Sequence, residues 1–477
     1  MIRRIYRHTE AAVMVSWLPL FHDMGLIGLP FQTVYLGATC VLMPPTAFLQ
    51  RPGRWLQTIS RYRATSSGAP NFAYDLCVSR ISPEERATLD LSSWRTAFNG
   101  SEPIQADTLR RFADGFAPCG FRSDALLPCY GMAEASLLIT GKPSARAPVI
   151  AQFDAKHLAA GTAVISSAED ARALVSSGPA ARGIRLAVVA PATQRAVPDG
   201  VVGEIWAAGA NNGTGYWGQP ALSAEIFAAR LARGPRARFL RTGDLGFLRA
   251  GELFVTGRIK DLIIVRGRNL YPQDLESSAQ AAAPGMLRAH AAVAFAIAEA
   301  AGGGEAVVLI HEVERTALRR FDAAVVARAI REALLREHEI APAAILFVKP
   351  ATLPKTSSGK LQRTECRRRY LAGELEPVGQ WRRDGDSPAA AQESAAGIAG
   401  LASAPPAGSA LEAWLRDRVA AALKCSAAAV DPHVPLQTLG LDSLAVVALS
   451  GELETHLGRR VEPTIVYDFP TLSLIHI

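Results

Sequence analysis

Short apolar runs, punctuated by glycine, proline and small polar residues, alternate with segments of helical period along most of this chain. Ala12–Trp17, apolar except for Ser16, has the composition of a buried strand. Polar His22 and Asp23 mark the boundary between it and an apolar helix predicted over Met24–Leu36. Ala38–Met43 predicts a strand that stops at Pro44-Pro45, and Arg54–Tyr62 and Asn71–Arg80 have helical patterns. Between those helices Thr65–Pro70, TSSGAP, reads as a turn; with no lysine after it, it is not a phosphate loop. Thr96–Phe98 predicts a strand that ends in Asn99-Gly100-Ser101-Glu102-Pro103, followed by a helix over Gln105–Phe116. A strand stopping at Gly-Ser before a helix offers backbone N–H groups at a sheet edge, where open α/β sheets bind ligands.

The pattern changes after Ser136. Gly141–Gly178 is polar and alanine-rich, with helical pieces expected around Ala155–Ala160 and Ala168–Val175. Ile184–Val189 and Gly203–Trp206 read as strands, and Asn211–Trp217, NNGTGYW, as a glycine-rich turn without dinucleotide-binding spacing. Leu240–Thr242 and Leu253–Thr256 have strand composition around a turn at Arg249-Ala250-Gly251. Gly257-Arg258-Ile259-Lys260-Asp261 then packs three charges into five residues between apolar segments, a place where two lobes could pivot. Beyond it His290–Ile297, Ala306–Val313 and Ala344–Val348 read as strands and Ala323–Leu335 as a helix, a smaller α+β unit. Glu376–Ala410 is rich in Ala, Gly, Pro and Ser without apolar period and reads as a linker. Helical pattern resumes at Leu411–Leu423 and at Leu444–Leu457.

Composition narrows the classes. With 477 residues the chain holds about three domains, and 49% hydrophobic residues argues against bulk disorder. The net charge of +7 is spread over scattered arginines, with no basic stripe interleaved with aromatics, so no nucleic-acid partner is expected. From Leu411 on, eight acidic against five basic residues give −3, leaving +10 on the first 410 residues. Six cysteines without a C-x-x-C pair or a histidine cluster predict neither a disulfide framework nor a metal centre. No 18-residue apolar run and no signal peptide is present, so the expectation is a cytoplasmic protein without a membrane span.

Several motifs carry chemistry. In Leu126–Ser136, LLPCYGMAEAS, Tyr130 offers an aromatic face, Gly131 allows close backbone approach, and Glu134 is a carboxylate suited to Mg²⁺. Asp244, in Thr242-Gly243-Asp244-Leu245-Gly246, can accept hydrogen bonds from sugar hydroxyls, and Arg258 can supply a charge-assisted contact. Lys360 follows a Ser-Ser-Gly turn in LPKTSSGKLQR, which fails the Walker A pattern at Pro354 and Leu361. Ser443 lies in GLDSL, before a predicted helix. Histidine at a position like His22, and serine at one like Ser443, is more often a cap than a catalyst.

Taken together, the TGDLG and GRIKD strings, RGRNLYPQDLE, WLPLFHDMGLIG and the lysine loop resemble the fatty acyl-AMP ligase branch of the adenylate-forming, AMP-binding superfamily. The carboxy-terminal order of helix, long loop, GLDSL, helix and YDFP resembles an acyl or peptidyl carrier domain. The resemblance implies a large α/β adenylate-forming domain over 1–257, a mobile α+β subdomain over 258–375, a linker over 376–410 and an all-α carrier bundle over 411–477. It implies catalytic roles for Lys360, His22 and Glu134, with Glu134 as Mg²⁺ ligand. It assigns ATP or AMP binding to Gly100, Ser101, Glu102, Pro103, Tyr130, Gly131, Met132, Ala133, Asp244 and Arg258, and a hinge to Lys260 or Asp261. Alanine at 133, where many relatives have threonine, is what this branch tolerates, and Gly141–Gly178 matches the place of an insertion that impedes acceptance of coenzyme A.

The cofactors implied are ATP, Mg²⁺ and 4′-phosphopantetheine on Ser443. The partners implied are a fatty acid, a phosphopantetheinyl transferase and downstream polyketide or peptide synthase modules. The chain departs from the family at both ends. No Ser/Thr/Gly-rich phosphate loop with lysine precedes Ala12, so the expectation is that about 100–200 residues are missing from the front, and the carrier stops soon after Pro470. The expectation is a chain truncated at both ends, with the Ala12 strand left as an open edge or exposed core. Three alternatives stand beside the ligase: an acyl-CoA synthetase, an amino-acid adenylation domain, for which Asp23 is the tempting carboxylate, and an inactive ligase kept as a carrier scaffold.

Overall fold

The computed structural model describes the chain except for residues 169–170, 235, 266–267, 299–304, 339, 356–360, 384–409, 424, 435, 437–438, 440–448, 450, 457–470 and 472–477. The protein divides into two compact units, Met1–Leu262 with Gly267–Tyr271, and Ile263–Arg266 with Pro272–Ile477. All six cysteines are free thiols. No helix among the described residues is long and apolar enough to cross a membrane.

The first unit is built on a six-stranded sheet of β1 (Val13–Ser16), β2 (Thr39–Leu42), β3 (Ser66–Ala69), β4 (Thr96–Asn99), β5 (Leu126–Met132) and β6 (Leu137–Gly141). Its order is β2-β1-β3-β4-β5-β6. The first five strands run parallel and β6 returns antiparallel to β5. The expectation of an open edge at Ala12 is overturned. β1 lies inside the sheet between β2 and β3, and Met14 and Val15 are fully buried.

The turn expected over Thr65–Pro70 is also corrected, because Ser66–Ala69 is the fully buried strand β3. Its small side chains permit this. A Cβ on Gly68 would stand 2.2 Å from the Phe98 carbonyl oxygen of β4. Ser67 Oγ accepts from Trp55 Nε1 at 2.8 Å and donates to the Val15 carbonyl at 2.6 Å. The buried hydroxyl is thereby satisfied from both sides.

Around this sheet Trp17, Phe48, Trp55, Tyr74, Trp94, Phe112 and Phe116 form a continuous aromatic core. Trp17 stacks on Phe48 at 4.0 Å, and Trp55 meets Trp94 edge-on at 5.3 Å. The apolar run predicted as one helix over Met24–Leu36 is helical in three pieces: Asp23–Leu26, a wider π turn Ile27–Phe31 holding Pro30, and Gln32–Leu36. Proline lacks the N–H of a regular turn, which accounts for the irregularity. Leu29 is buried beneath it, whereas Phe31, Val34 and Tyr35 face outward.

A short antiparallel pair follows, β7 (Ile150–Phe153) and β8 (Arg172–Val175), with a helix over Ala155–Ala159 between. The helical piece expected around Ala168–Val175 is therefore a strand in its second half. Phe153, Leu158 and Leu174 pack on Phe247 and Phe254, so the segment is fixed to the next sheet. That sheet comprises β9 (Arg185–Ala190), β10 (Arg195–Ala196), β11 (Gly203–Ala208), β12 (Leu240–Arg249) and β13 (Glu252–Arg258), antiparallel in the order β10-β9-β11-β12-β13. β12 and β13 turn at Ala250-Gly251, both at positive φ, where the turn at Arg249-Ala250-Gly251 was expected.

Short strands β14 (Ile263–Val265) and β15 (Arg268–Leu270) fall in the second and first units respectively. The second unit has a four-stranded sheet of β16 (Leu287–Ala298), β17 (Glu305–Val313), β18 (Ala344–Val348) and β19 (Pro377–Arg382), in that order. Only β17 and β18 run parallel. Helices Pro272–Ala282 and Ala323–His338 pack with it. β19 corrects the linker reading at its start, since 377–382 pair with β18. Proline and glycine hide the strand in sequence, while Arg331 stacks over Trp381 at 4.1 Å and covers its face. Near the carboxyl end, a helix over Ala410–Leu423 and helical residues 451–456 share a small core of Leu415, Val419, Leu436, Leu449 and Leu453.

Two predictions follow from burial. Trp55→Ala empties a fully buried indole site and leaves Ser67 Oγ without its donor. It should cost about 3–5 kcal/mol, read as a fall in the urea midpoint. His311 of β17 is fully buried, with Nδ1 against the Glu312 carbonyl at 3.0 Å and no partner at Nε2 among the described residues. Burial pushes it down to about 4 from an ordinary 6.5. The unfolded chain therefore takes up this proton first as pH falls through 6.5, so stability is lost from there down to about 4 and levels off below. His311→Leu should flatten the acid-side loss of β17 and β18 protection, measured by hydrogen exchange corrected for intrinsic rates.

Candidate functional site

The sequence-predicted residues of the first unit gather at the carboxyl edge of the parallel strands, where β1, β4 and β5 end. Gly100 follows β4 directly and is buried; a Cβ there would stand 3.0 Å from the Cys129 carbonyl oxygen of β5. Ser101 is held at φ 79°, a conformation rare outside glycine. The loop through Glu102 and Pro103 is organised by Asn71. Its Oδ1 accepts from Asn99 Nδ2 at 3.1 Å and from the Gln105 amide at 3.3 Å, and its Nδ2 donates to the Pro103 carbonyl at 2.8 Å. Asn71 was absent from the sequence-based set; its place just after Pro70, at a helix start, was the available signal.

His22 occupies the helix-capping position that its place in the sequence suggested. Its Nδ1 accepts from the Met24 amide at 3.2 Å and lies 2.8 Å from Asp23 Oδ1. Its Nε2 stands 3.5 Å from Ser101 Oγ, at the limit of hydrogen-bond reach, so β1 and β4 deliver these two side chains to one place. Asp23 belongs to this cap.

β5 carries Tyr130, Gly131 and Met132, and one 3₁₀ turn, Ala133–Ala135, carries Glu134. Gly131 admits no side chain, because a Cβ would fall 1.5 Å from the Leu137 carbonyl oxygen of the returning strand. Ser136 and Leu137 both have positive φ, 48° and 91°. Backbone strain of this kind persists where its surroundings enforce it.

Tyr130 reaches across to the second sheet. Its hydroxyl donates to Asp244 Oδ2 at 2.7 Å, and Arg258 Nε donates to Asp244 Oδ1 at 2.7 Å. Asp244 and Arg258 are direct cross-strand partners on β12 and β13, and Asp244 is only 5% exposed. Burial and the Asp244 charge hold the Tyr130 phenol well above its usual range, while Asp244 raises Arg258. A carboxylate has about four lone-pair sites, so one buried aspartate can accept from both neighbours at once.

Glu134 is met by a residue that sequence reasoning passed over. Tyr216, in the NNGTGYW turn, donates its hydroxyl to Glu134 Oε1 at 2.8 Å. The same loop fastens the backbone of the turn: Gly213 N donates to the Glu134 carbonyl at 2.7 Å and Asn211 Nδ2 to the Ala135 carbonyl at 2.6 Å. Burial and the neighbouring carboxylate push Tyr216 up to about 12. Among the described residues no group of three His, Cys, Asp or Glu gathers as a protein-built metal cage. One half-buried carboxylate at a sheet edge suits Mg²⁺ that arrives with phosphate oxygens, since this ion keeps few protein ligands.

Lys260 and Asp261 lie in a 3₁₀ turn, Ile259–Asp261, immediately before the first unit gives way to the second after Leu262. Lys360 and Ser443 lie outside the described residues; on either side of the lysine loop Lys355 and Leu361 form an antiparallel bridge.

Comparison with known proteins gives three family matches along the chain: AMP-binding enzyme over residues 1–217, the AMP domain of Disco-interacting protein 2-like proteins over 260–380, and phosphopantetheine attachment site over 413–475, which spans Ser443. A medium-chain fatty acid–acyl carrier protein ligase of Moorena producens is 43% identical over 384 residues, 80% of this chain and 64% of that protein. Its counterpart in Teredinibacter turnerae is 40% identical over 391 residues, 80% of this chain and 60% of that protein. A solved structure from work on fatty acyl-adenylate ligases of E. coli and L. pneumophila superposes with TM-score 0.70 at 34% identity, covering 78% of this chain and 64% of that one. An adenylation–carrier structure, McyG A-PCP, shares the fold over 98% of this chain and 67% of its own, with TM-score 0.63 at 22% identity. The chain thus spans less than two thirds of the length of these curated ligases. With its α/β adenylate-forming fold and its helical carboxy-terminal region, the chain carries an AMP-binding domain followed by a phosphopantetheine attachment site.

Proposed function

We propose that this protein is a fatty acyl-AMP ligase that activates a fatty acid with ATP and loads it onto its own carrier region. The observation that carries this reading is the joining, in one chain, of an AMP-binding match and a phosphopantetheine attachment match. A fatty carboxylate oxygen attacks the α-phosphorus of Mg·ATP, the bond to the bridging oxygen breaks, and pyrophosphate leaves. An anion thereby approaches an anionic phosphate, so positive charge is needed where negative charge builds. Glu134 holds the Mg²⁺ of the substrate, and Lys360 supplies an ammonium. Tyr130, Asp244 and Arg258 orient the nucleoside, with Gly100–Pro103 and Gly131–Ala133 forming the walls beside it. His22, beside Ser101, stands at the acyl side.

Ser443 is the attachment position for 4′-phosphopantetheine, which when bound supplies the thiol that takes the acyl group and releases AMP. Lys260 or Asp261 serves as the pivot between the two half-reactions. The chain divides as 1–257, 258–375 and 411–477, with the subdomain's sheet continuing through β19. The Gly141–Gly178 segment disfavours coenzyme A as acceptor. The further partners are a phosphopantetheinyl transferase and polyketide or peptide synthase modules downstream, in the cytoplasm. Coenzyme A is the competing acceptor, because a Mycobacterium tuberculosis relative, 37% identical over 372 residues, is named as a putative fatty acid–CoA ligase.

ATP–pyrophosphate exchange with fatty acids tests the first step, on this chain and on a version lengthened at its amino end. Intact-protein mass of the pantetheinylated protein tests the second. Lys360→Ala should abolish exchange yet still load from supplied acyl-AMP, and Ser443→Ala should keep exchange and lose the acyl mass. Equal loss of both half-reactions in Lys360→Ala refutes the lysine's role. Acyl-CoA as the product when free coenzyme A is added would favour the synthetase reading. Absence of exchange in both versions would leave only a carrier scaffold.

A further inference from the structure

The turn that carries Glu134 cannot by itself aim a carboxylate. It is three residues long, it follows a glycine squeezed against the Leu137 carbonyl, and it precedes two residues at positive φ. Its position is imposed from outside by the 209–217 loop, which touches the Glu134 carbonyl through Gly213, the Ala135 carbonyl through Asn211 and the carboxylate through Tyr216. The tyrosine is itself held. Its ring meets Phe227 edge-on at 5.0 Å, and its amide donates to Ser223 Oγ at 2.8 Å. A Cβ on the preceding Gly215 would stand 2.7 Å from Ser223, so the chain approaches the helix Pro220–Phe227 as closely as glycine allows. The hydroxyl is therefore presented to Glu134 from a fixed base, and among the described residues it is the one side chain hydrogen-bonded to that carboxylate.

We propose that Tyr216 is a positioning residue for metal binding: by donating to Glu134 Oε1 it fixes the carboxylate so that Oε2 is directed to the Mg²⁺ of Mg·ATP. The inference rests on the reading of Glu134 as the metal ligand. A ligating carboxylate free to rotate must be ordered each time the ion binds. One already hydrogen-bonded on its second oxygen is ordered beforehand, and loss of such a partner typically weakens metal binding about 10–100-fold.

The test measures Mn²⁺, standing in for Mg²⁺, by the loss of its free paramagnetic signal. The full chain is used with a non-hydrolysable ATP analogue, after subtraction of the Mn²⁺ held by the nucleotide alone. Tyr216→Phe should weaken Mn²⁺ binding at least about tenfold, and Glu134→Ala should remove it. In the Glu134→Ala background the tyrosine substitution should have no further effect. Ser223→Ala loosens the same loop but keeps the tyrosine hydroxyl, and should weaken Mn²⁺ binding less than Tyr216→Phe does. If Tyr216→Phe binds Mn²⁺ like the parent while Glu134→Ala does not, the positioning role fails and the metal reading stands. If Ser223→Ala loses as much affinity as Tyr216→Phe, the tyrosine only supports the loop and the proposal is overturned. If Glu134→Ala leaves Mn²⁺ binding intact, or the parent protein binds none, both the metal reading and this inference are overturned.

Discussion

The hydrogen-bonded set Tyr130–Asp244–Arg258 is the joint on which the first unit depends. β5 belongs to the parallel sheet, and β12 and β13 to the antiparallel one. A single carboxylate, 5% exposed, accepts a donor from each. Charge-assisted bonds to a buried acceptor are short and strong, and removing a partner strands a charge away from water. Asp244 is held in turn by its own strand, where its amide donates to Thr242 Oγ1 at 3.1 Å and that hydroxyl donates to the Ile205 carbonyl at 2.7 Å. The two sheets are therefore locked together at the place where the nucleoside is proposed to sit.

Around that joint the backbone is packed to the limit. Gly131 lies against the Leu137 carbonyl with no room for a side chain, and Ser101, Ser136 and Leu137 occupy left-handed conformations. Conformations of this cost survive because neighbouring elements leave no alternative. Asn71 gathers the 99–105 loop, and the 209–217 loop gathers the turn of Glu134. The candidate site residues are thus set by side chains outside that set, the usual relation between a site and its support.

The second unit solves a different problem. Its sheet buries Glu312 completely, and satisfies it with Arg288 Nη1 at 3.0 Å and the Leu353 amide at 3.0 Å. The buried carboxylate thereby holds the chain at Leu353 against β17. The final strand β19 closes the sheet before the chain leaves it, with Trp381 under Arg331.

The candidate site residues were picked out from the chain itself. Tyr130, Glu134, Asp244 and Arg258 stand in short strings whose residue types suggest what they can bind, and strands such as β1 and β18 follow from largely apolar runs. Periodicity reports how one window of chain is buried. It is silent on which window pairs with which. That β1 lies inside its sheet, that the serines and glycine of β3 form a core strand, and that 377–382 join β18 all depend on neighbours distant in sequence. Asn71 and Tyr216 escaped notice for the same reason: their partners, Asn99 and Glu134, lie 28 and 82 residues away. The sequence picked out the candidate groups, and only the tertiary packing decided what holds them, because a hydrogen bond depends on distance in space rather than on separation along the chain.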